Sequence, residues 1–302
     1  TMAKRMMRER SNLSAKDQPN APQTKEAQTR SIQLTNKTEY PSNGEELFNL
    51  PSSKHSKKYR RGQHLTAQPE NIQTLEGMGY TCMRKGDLEK AIEYFQSCLK
   101  LKPDNIAMLY NVGLMLQQQG DISSAISYYQ HALSLDKENP QILNNLGLAI
   151  DASGAKDGAI ELYKKAIAAH PDFISSYINI GLALESKEDY KSAINYYKEG
   201  QAIDPNNYKL FYNIGVALQK DGRIEDAKRA YKAALKIDPN QSKPFQNLGA
   251  IYHETGEIRT SISYYQKALE LSPQSASIHK NLGMAQLQSG DYKNGLLNYQ
   301  ED

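Results

Sequence analysis

The 302-residue sequence contains no tryptophan, five phenylalanines and two cysteines. Two thiols, Cys82 and Cys98, cannot build the disulfide framework of a small secreted domain, and they point to a reducing, intracellular compartment. No uninterrupted apolar run approaches the ~20 residues a membrane helix needs, and no signal-peptide core follows the basic start, so a membrane is not an expected partner. The sequence also lacks a GxxxxGK(S/T) phosphate loop, an HExxH pair and paired CxxC motifs. No enzyme, cofactor or metal is therefore expected. Charge of one sign is scarce too: 37 Lys and Arg against 34 Asp and Glu give a net +3, which makes nucleic acid an unexpected partner. That small surplus is unevenly spread. Residues 1–70 carry 13 basic against 7 acidic side chains, whereas residues 71–302 carry 24 against 27.

What the sequence does have is a period. Asn111-Val112-Gly113 returns as Asn145-Leu146-Gly147, Asn179-Ile180-Gly181, Asn213-Ile214-Gly215, Asn247-Leu248-Gly249 and Asn281-Leu282-Gly283, always 34 residues apart. Glycine recurs in phase at 86, 120, 154, 222, 256 and 290, lapsing at Glu188. Alanine recurs at 91, 125, 159, 193 and 227, and an aromatic at Phe95, Tyr129, Tyr163, Tyr197, Tyr231, Tyr265 and Tyr299. Proline marks the unit ends at 103, 171, 205, 239 and 273. A fixed period of this length is the signature of stacked supersecondary units.

These columns resemble the tetratricopeptide repeat (TPR), a helix–turn–helix unit with Leu-Gly early, Ala and an aromatic in the second helix, and Pro at its end. The resemblance covers 72–302 and implies an all-α, right-handed superhelix of about seven repeats starting near 72, 106, 140, 174, 208, 242 and 276. The seventh stops at Asp302 inside its second helix, which is expected if the chain is a piece of a longer protein. Within each unit the recurring glycines should end the first helix at positive φ, and Asp87, Asp121, Asp189 and Asp291 should cap the second. The glycine inside the first helix (Gly113 and its equivalents) implies a close crossing, with the Ala column as the facing small residue and the aromatic beside it. Cys82 and Cys98 stand where other repeats place buried residues, so core thiols are expected ahead of a redox pair.

Residues 1–70 are rich in Ser, Thr, Gln, Asn and Lys and poor in large apolar side chains, as in extended or disordered segments. The cluster Lys54, Lys57, Lys58, Arg60 and Arg61 reads either as solvated linker charge or as a contact for an acidic filament or protein surface.

The TPR resemblance also implies where partners sit, because in that family the first helices line a concave groove. The second, fifth and ninth residues of each unit share one helical face. This selects Tyr110, Asn144, Ile178, Tyr212, Lys209 and Lys243, beside the ladder Asn111, Asn145, Asn179, Asn213, Asn247 and Asn281. The ladder resembles that in the TPR arm of O-GlcNAc transferase and in generic TPR consensus sequences. Two roles stay open for it: gripping an extended peptide backbone, or bonding to neighbouring helices. Lys and Asn one turn apart, by which chaperone-tail-binding TPR domains grip a terminal carboxylate, are missing from every repeat. The expectation is a non-enzymatic scaffold that holds extended peptide segments or neighbouring subunits in a large cytoplasmic assembly, cytoskeletal or ciliary by its Lys/Asn/Tyr/Ile-rich composition. The alternatives are the targeting arm of a larger glycosyltransferase and a free-standing peptide adaptor.

Overall fold

The computed structural model describes residues 71–300; the basic cluster from Lys54 to Arg61 lies outside them. Every regular element described is a helix, and the helices pair in sequence order. The first helices are α1 (Ile72–Arg84), α3 (Ile106–Gln119), α5 (Pro140–Ala152), α7 (Ile174–Glu185), α9 (Tyr208–Lys220), α11 (Ser242–Glu254) and α13 (Ala276–Ser289). The second helices are α2 (Leu88–Leu101), α4 (Ile122–Leu135), α6 (Lys156–Ala169), α8 (Tyr190–Ile203), α10 (Ile224–Ile237), α12 (Ile258–Leu271) and α14 (Tyr292–Gln300). Each helix packs on the next in the chain.

Local signals place the breaks. Asp87, Asp121 and Asp189 are N-caps whose carboxylates accept from the backbone N–H of Lys90, Ser124 and Ser192, and Asp291 does the same for Asn294. Asn71, Asn105, Asn139 and Asn207 cap the first helices in the same way. The turns between paired helices hold a left-handed residue, and at Glu188 the chain keeps φ at 62° without the glycine used elsewhere.

The core repeats as the sequence does. Phe95, Tyr129, Tyr163, Tyr197 and Tyr231 have no exposed surface, and Tyr265 has 1%. Burying each ring contributes on the order of 2–3 kcal/mol. In repeats one to six the nearest neighbour of the glycine inside the first helix is this ring, where the alanine was expected, while Gly283 in repeat seven meets the backbone of Gly295 and Tyr299. A Cβ on Gly181 would lie 2.2 Å from the Tyr197 ring, and one on Gly113 would lie 2.6 Å from that of Tyr129. Side chains on a helix lean towards its N-terminus, so an aromatic four residues after the alanine reaches back over the crossing. Ala125, Ala159, Ala193 and Ala227 are fully buried beneath it. Cys98 is buried, Cys82 half-buried, and the thiols are unpaired.

Buried tyrosines need a partner for the hydroxyl, and the twelfth residue of the repeat supplies it. Tyr129 donates to Gln117 at 3.0 Å, Tyr197 to Glu185 at 2.7 Å and Tyr231 to Gln219 at 2.9 Å. Repeat one pairs Phe95 with Met83 at these positions, so no hydroxyl needs an acceptor. In repeat three the acceptor is Asp151, one methylene shorter, and the Tyr163 hydroxyl is buried without a partner.

Candidate partner-binding face

Successive first helices touch one another (α3 with α5, α5 with α7, α7 with α9, α11 with α13), whereas no two successive second helices make comparable contact. Neighbouring units are therefore closer on the first-helix side, which makes that side the inner curve of the stack. The selected face follows a gradient along it. Second-position residues Ala107, Gln141, Ser175, Lys209 and Lys243 are exposed. Fifth-position Tyr110, Ile178 and Tyr212 are half-buried. At the ninth position Leu114, Leu148, Val216 and Ala250 are half-buried, while Leu182 and Met284 are 39% and 44% exposed.

Much of the asparagine ladder is occupied within the protein. Asn145 donates to the Tyr110 hydroxyl at 2.8 Å and to the Gln141 carbonyl at 2.9 Å. Asn179 donates to Asn144 Oδ1 at 2.8 Å, Asn111 to the Tyr80 hydroxyl at 3.2 Å and Asn247 to the Tyr231 hydroxyl at 3.1 Å. Asn144 is only 5% exposed and also accepts from Ser176 at 3.4 Å. It is consumed between repeats and does not present its amide to the groove, contrary to its selection from the sequence.

In two of these bonds, Asn145 to Tyr110 and Asn179 to Asn144, the sixth residue of one repeat reaches the fifth of the repeat before it. At Asn213 the preceding fifth residue is Ile178, which offers no acceptor, and the Asn213 side chain makes no hydrogen bond among the described residues. Asn281 likewise makes none. Beside Asn213, Tyr212 leans on Tyr231 with ring centroids 6.0 Å apart, as Tyr110 leans on Tyr129 at the same distance. Burial pushes the Tyr110 hydroxyl up to about 12, so it stays protonated at any physiological pH. Towards the end of α9, Lys220 bonds to the buried Glu185 carboxylate at 3.1 Å and ties repeat five to repeat four.

The inner face between α7 and α9 thus combines an amide with unused donors and acceptor (Asn213), exposed or half-buried aliphatic surface (Leu182, Ile178, Val216) and the exposed Lys209. Such a surface can hydrogen-bond a peptide backbone while covering an apolar side chain. In three repeats a second tyrosine precedes the core ring: Tyr128, Tyr196 and Tyr264 are half-buried, with Tyr128 accepting from Gln96 of the preceding repeat at 3.2 Å and Tyr264 stacked on Tyr252 of its own repeat at 5.3 Å. These half-buried rings form no exposed aromatic stripe. Among the described residues, no cluster of His, Cys, Asp or Glu could hold a metal, and no helix is long and apolar enough to cross a membrane.

Solved structures confirm the architecture. A tetratricopeptide repeat protein from Parabacteroides merdae superposes with a TM-score of 0.63 at 19% identity, covering 76% of this chain and 91% of that one. The MamA protein gives 0.51 at 26% identity over 57% of this chain and 94% of its own. The Cut9–Hcn1 hetero-tetramer of the APC/C gives 0.58 at 17% identity, over 77% of this chain and 46% of that one. Comparison with curated protein sequences finds no match. The family model described as the cilia and flagella-associated protein 70 C-terminal domain matches residues 45–300, so it takes in part of the segment before the first helix as well as the repeats. The chain is a TPR solenoid that belongs to this family of cilia and flagella-associated domains.

Proposed function

We propose that the chain is a non-enzymatic scaffold in a ciliary or flagellar assembly, holding an extended segment of a partner protein along the inner face of its repeats. The observation that carries this reading is Asn213. Four of the six ladder asparagines spend their amides on the solenoid, while Asn213 keeps its own beside the exposed Leu182. In the free protein this half-buried amide is left to solvent, so its donors and acceptor are available to a bound backbone. The family supplies the ciliary setting and favours this reading over a glycosyltransferase arm.

Lys209, Lys243 and Tyr212 flank the same stretch and would contact the held segment. Asn145 spends both of its amide N–H donors on the solenoid, and Asn111, Asn179 and Asn247 spend one each there. The test is to place Leu182→Asp with Asn213→Ala in the protein expressed in ciliated cells and to quantify the partners retained on it. Losing the burial of one leucine should weaken retention by about tenfold or more, with helical circular dichroism unchanged. Retention at the wild-type level would refute the inner-face reading.

A further inference from the structure

The second helices carry a pattern that the inner face does not use. At the twenty-fifth residue of the repeat the sequence reads Gln96, Gln130, Lys164, Lys198, Lys232, Gln266 and Gln300. Three lysines therefore stand in register on α6, α8 and α10, all exposed. Arg229 and Lys236 on α10, Lys165 on α6 and Lys267 on α12 are exposed around them. Together α6, α8, α10 and α12 hold eleven Lys and Arg against six Asp and Glu, whereas their first-helix partners α5, α7, α9 and α11 hold three of each. The concentration is thus confined to one side of the stack.

This register reaches into the next repeat: Gln96 reaches the Tyr128 hydroxyl on the next second helix, and Lys232 reaches that of Tyr252 on the next first helix at 3.2 Å. Lys267 sits 5.9 Å from the centre of the Phe245 ring. Between repeats five and six a further cation replaces a core aliphatic. Lys228 stands where Ile92, Ile126, Ile160, Ile194 and Ile262 stand elsewhere, and its ammonium lies 4.6 Å over the Tyr252 ring. Glu225 and Glu257 pair with this ammonium at 2.8 and 3.9 Å, so it is held between repeats and adds little to the outer charge.

We propose that this outer face docks an acidic, extended polypeptide segment of a partner protein, running along the stack across α6, α8 and α10. The row gives one cation per repeat, and neighbouring second helices stand on the order of 10 Å or more apart. An extended chain rises about 3.3 Å per residue, so the fitting segment carries an acidic residue at roughly every third or fourth position. Carboxylates interrupt the row: Glu161 pairs with Lys164 at 2.8 Å, Asp226 with Arg223 at 2.6 Å and also with Arg229, Glu225 with Lys228 at 2.8 Å, and Glu199 adjoins Lys198. A peptide can set neutral residues opposite these groups. A nucleic-acid backbone, charged at every step, cannot.

The test uses the full 302-residue chain and a fluorescent synthetic peptide of about fifteen residues with Glu at every third position. Fluorescence anisotropy should show binding that weakens with salt. The triple variant Lys164→Glu, Lys198→Glu, Lys232→Glu should bind about tenfold more weakly or worse, with unchanged circular dichroism. The milder triple change to Gln should fall between, and guards against misfolding of the first variant. Neutralising Lys54, Lys57, Lys58, Arg60 and Arg61, or substituting Leu182 and Asn213, should leave binding intact. Binding that survives the triple change, that is lost with the N-terminal cluster, or that is exceeded by an oligothymidylate of equal charge would overturn the proposal.

Discussion

At the residue scale, the tyrosine column shows how finely one position depends on another twelve residues away. Five of the six rings from Phe95 to Tyr265 are tyrosine, and each buried hydroxyl needs an acceptor that its own repeat must provide. Gln117, Glu185 and Gln219 reach; Asp151 does not, leaving the Tyr163 oxygen unpaired. Burial also holds the Asp151 carboxyl above its ordinary range, with the nearby Lys156 ammonium opposing it. Asp151→Glu should complete the bond seen in repeat four and stabilise the protein by about 1 kcal/mol in chemical denaturation. No gain, or a loss, would show that the hydroxyl is satisfied in another way. The tyrosine column and its phase could be read directly in the sequence. The orphaned hydroxyl could not, because it depends on a single methylene of reach.

At the element scale, the unit is a helix pair locked by an aromatic ring over a glycine. Capping and turn chemistry were legible before the structure: Asp87, Asp121 and Asp189 cap where expected, and glycine takes positive φ at the turns. The expected alanine–glycine contact was misassigned because periodicity fixes which residues share a face but not how far a large side chain leans. Gly181→Ala would put a methyl 2.2 Å from the nearest atom of the fully buried Tyr197 ring. Overpacking of this kind should cost about 1–3 kcal/mol despite alanine's better helix propensity. Gly77, with nothing within 4 Å of a Cβ, provides the control, and Gly77→Ala should be neutral or stabilising. Equal effects at the two sites would disprove the ring-on-glycine lock.

At the scale of the molecule, a solenoid is held by neighbour-to-neighbour contacts, and its partner surfaces are whatever those contacts leave over. Most of the candidate face was legible from the repeat register, including the exposed lysines at second positions and the apolar ninth positions. The division of the asparagines was not, since each role depends on the residue 31 to 35 positions earlier or on a ring in the preceding unit. Asn145 and Asn179 found acceptors there, while Asn213 met Ile178. The account rests on the inner face being occupied in the working assembly, and cross-linking mass spectrometry on the native assembly purified through this protein tests that most directly. Lysine-reactive links from a partner to Lys209 and Lys243, both exposed on the inner side, are the expected result. Partner links confined to outer lysines such as Lys164, Lys198 and Lys232, with Lys209 and Lys243 modified only by hydrolysed reagent, would contradict it.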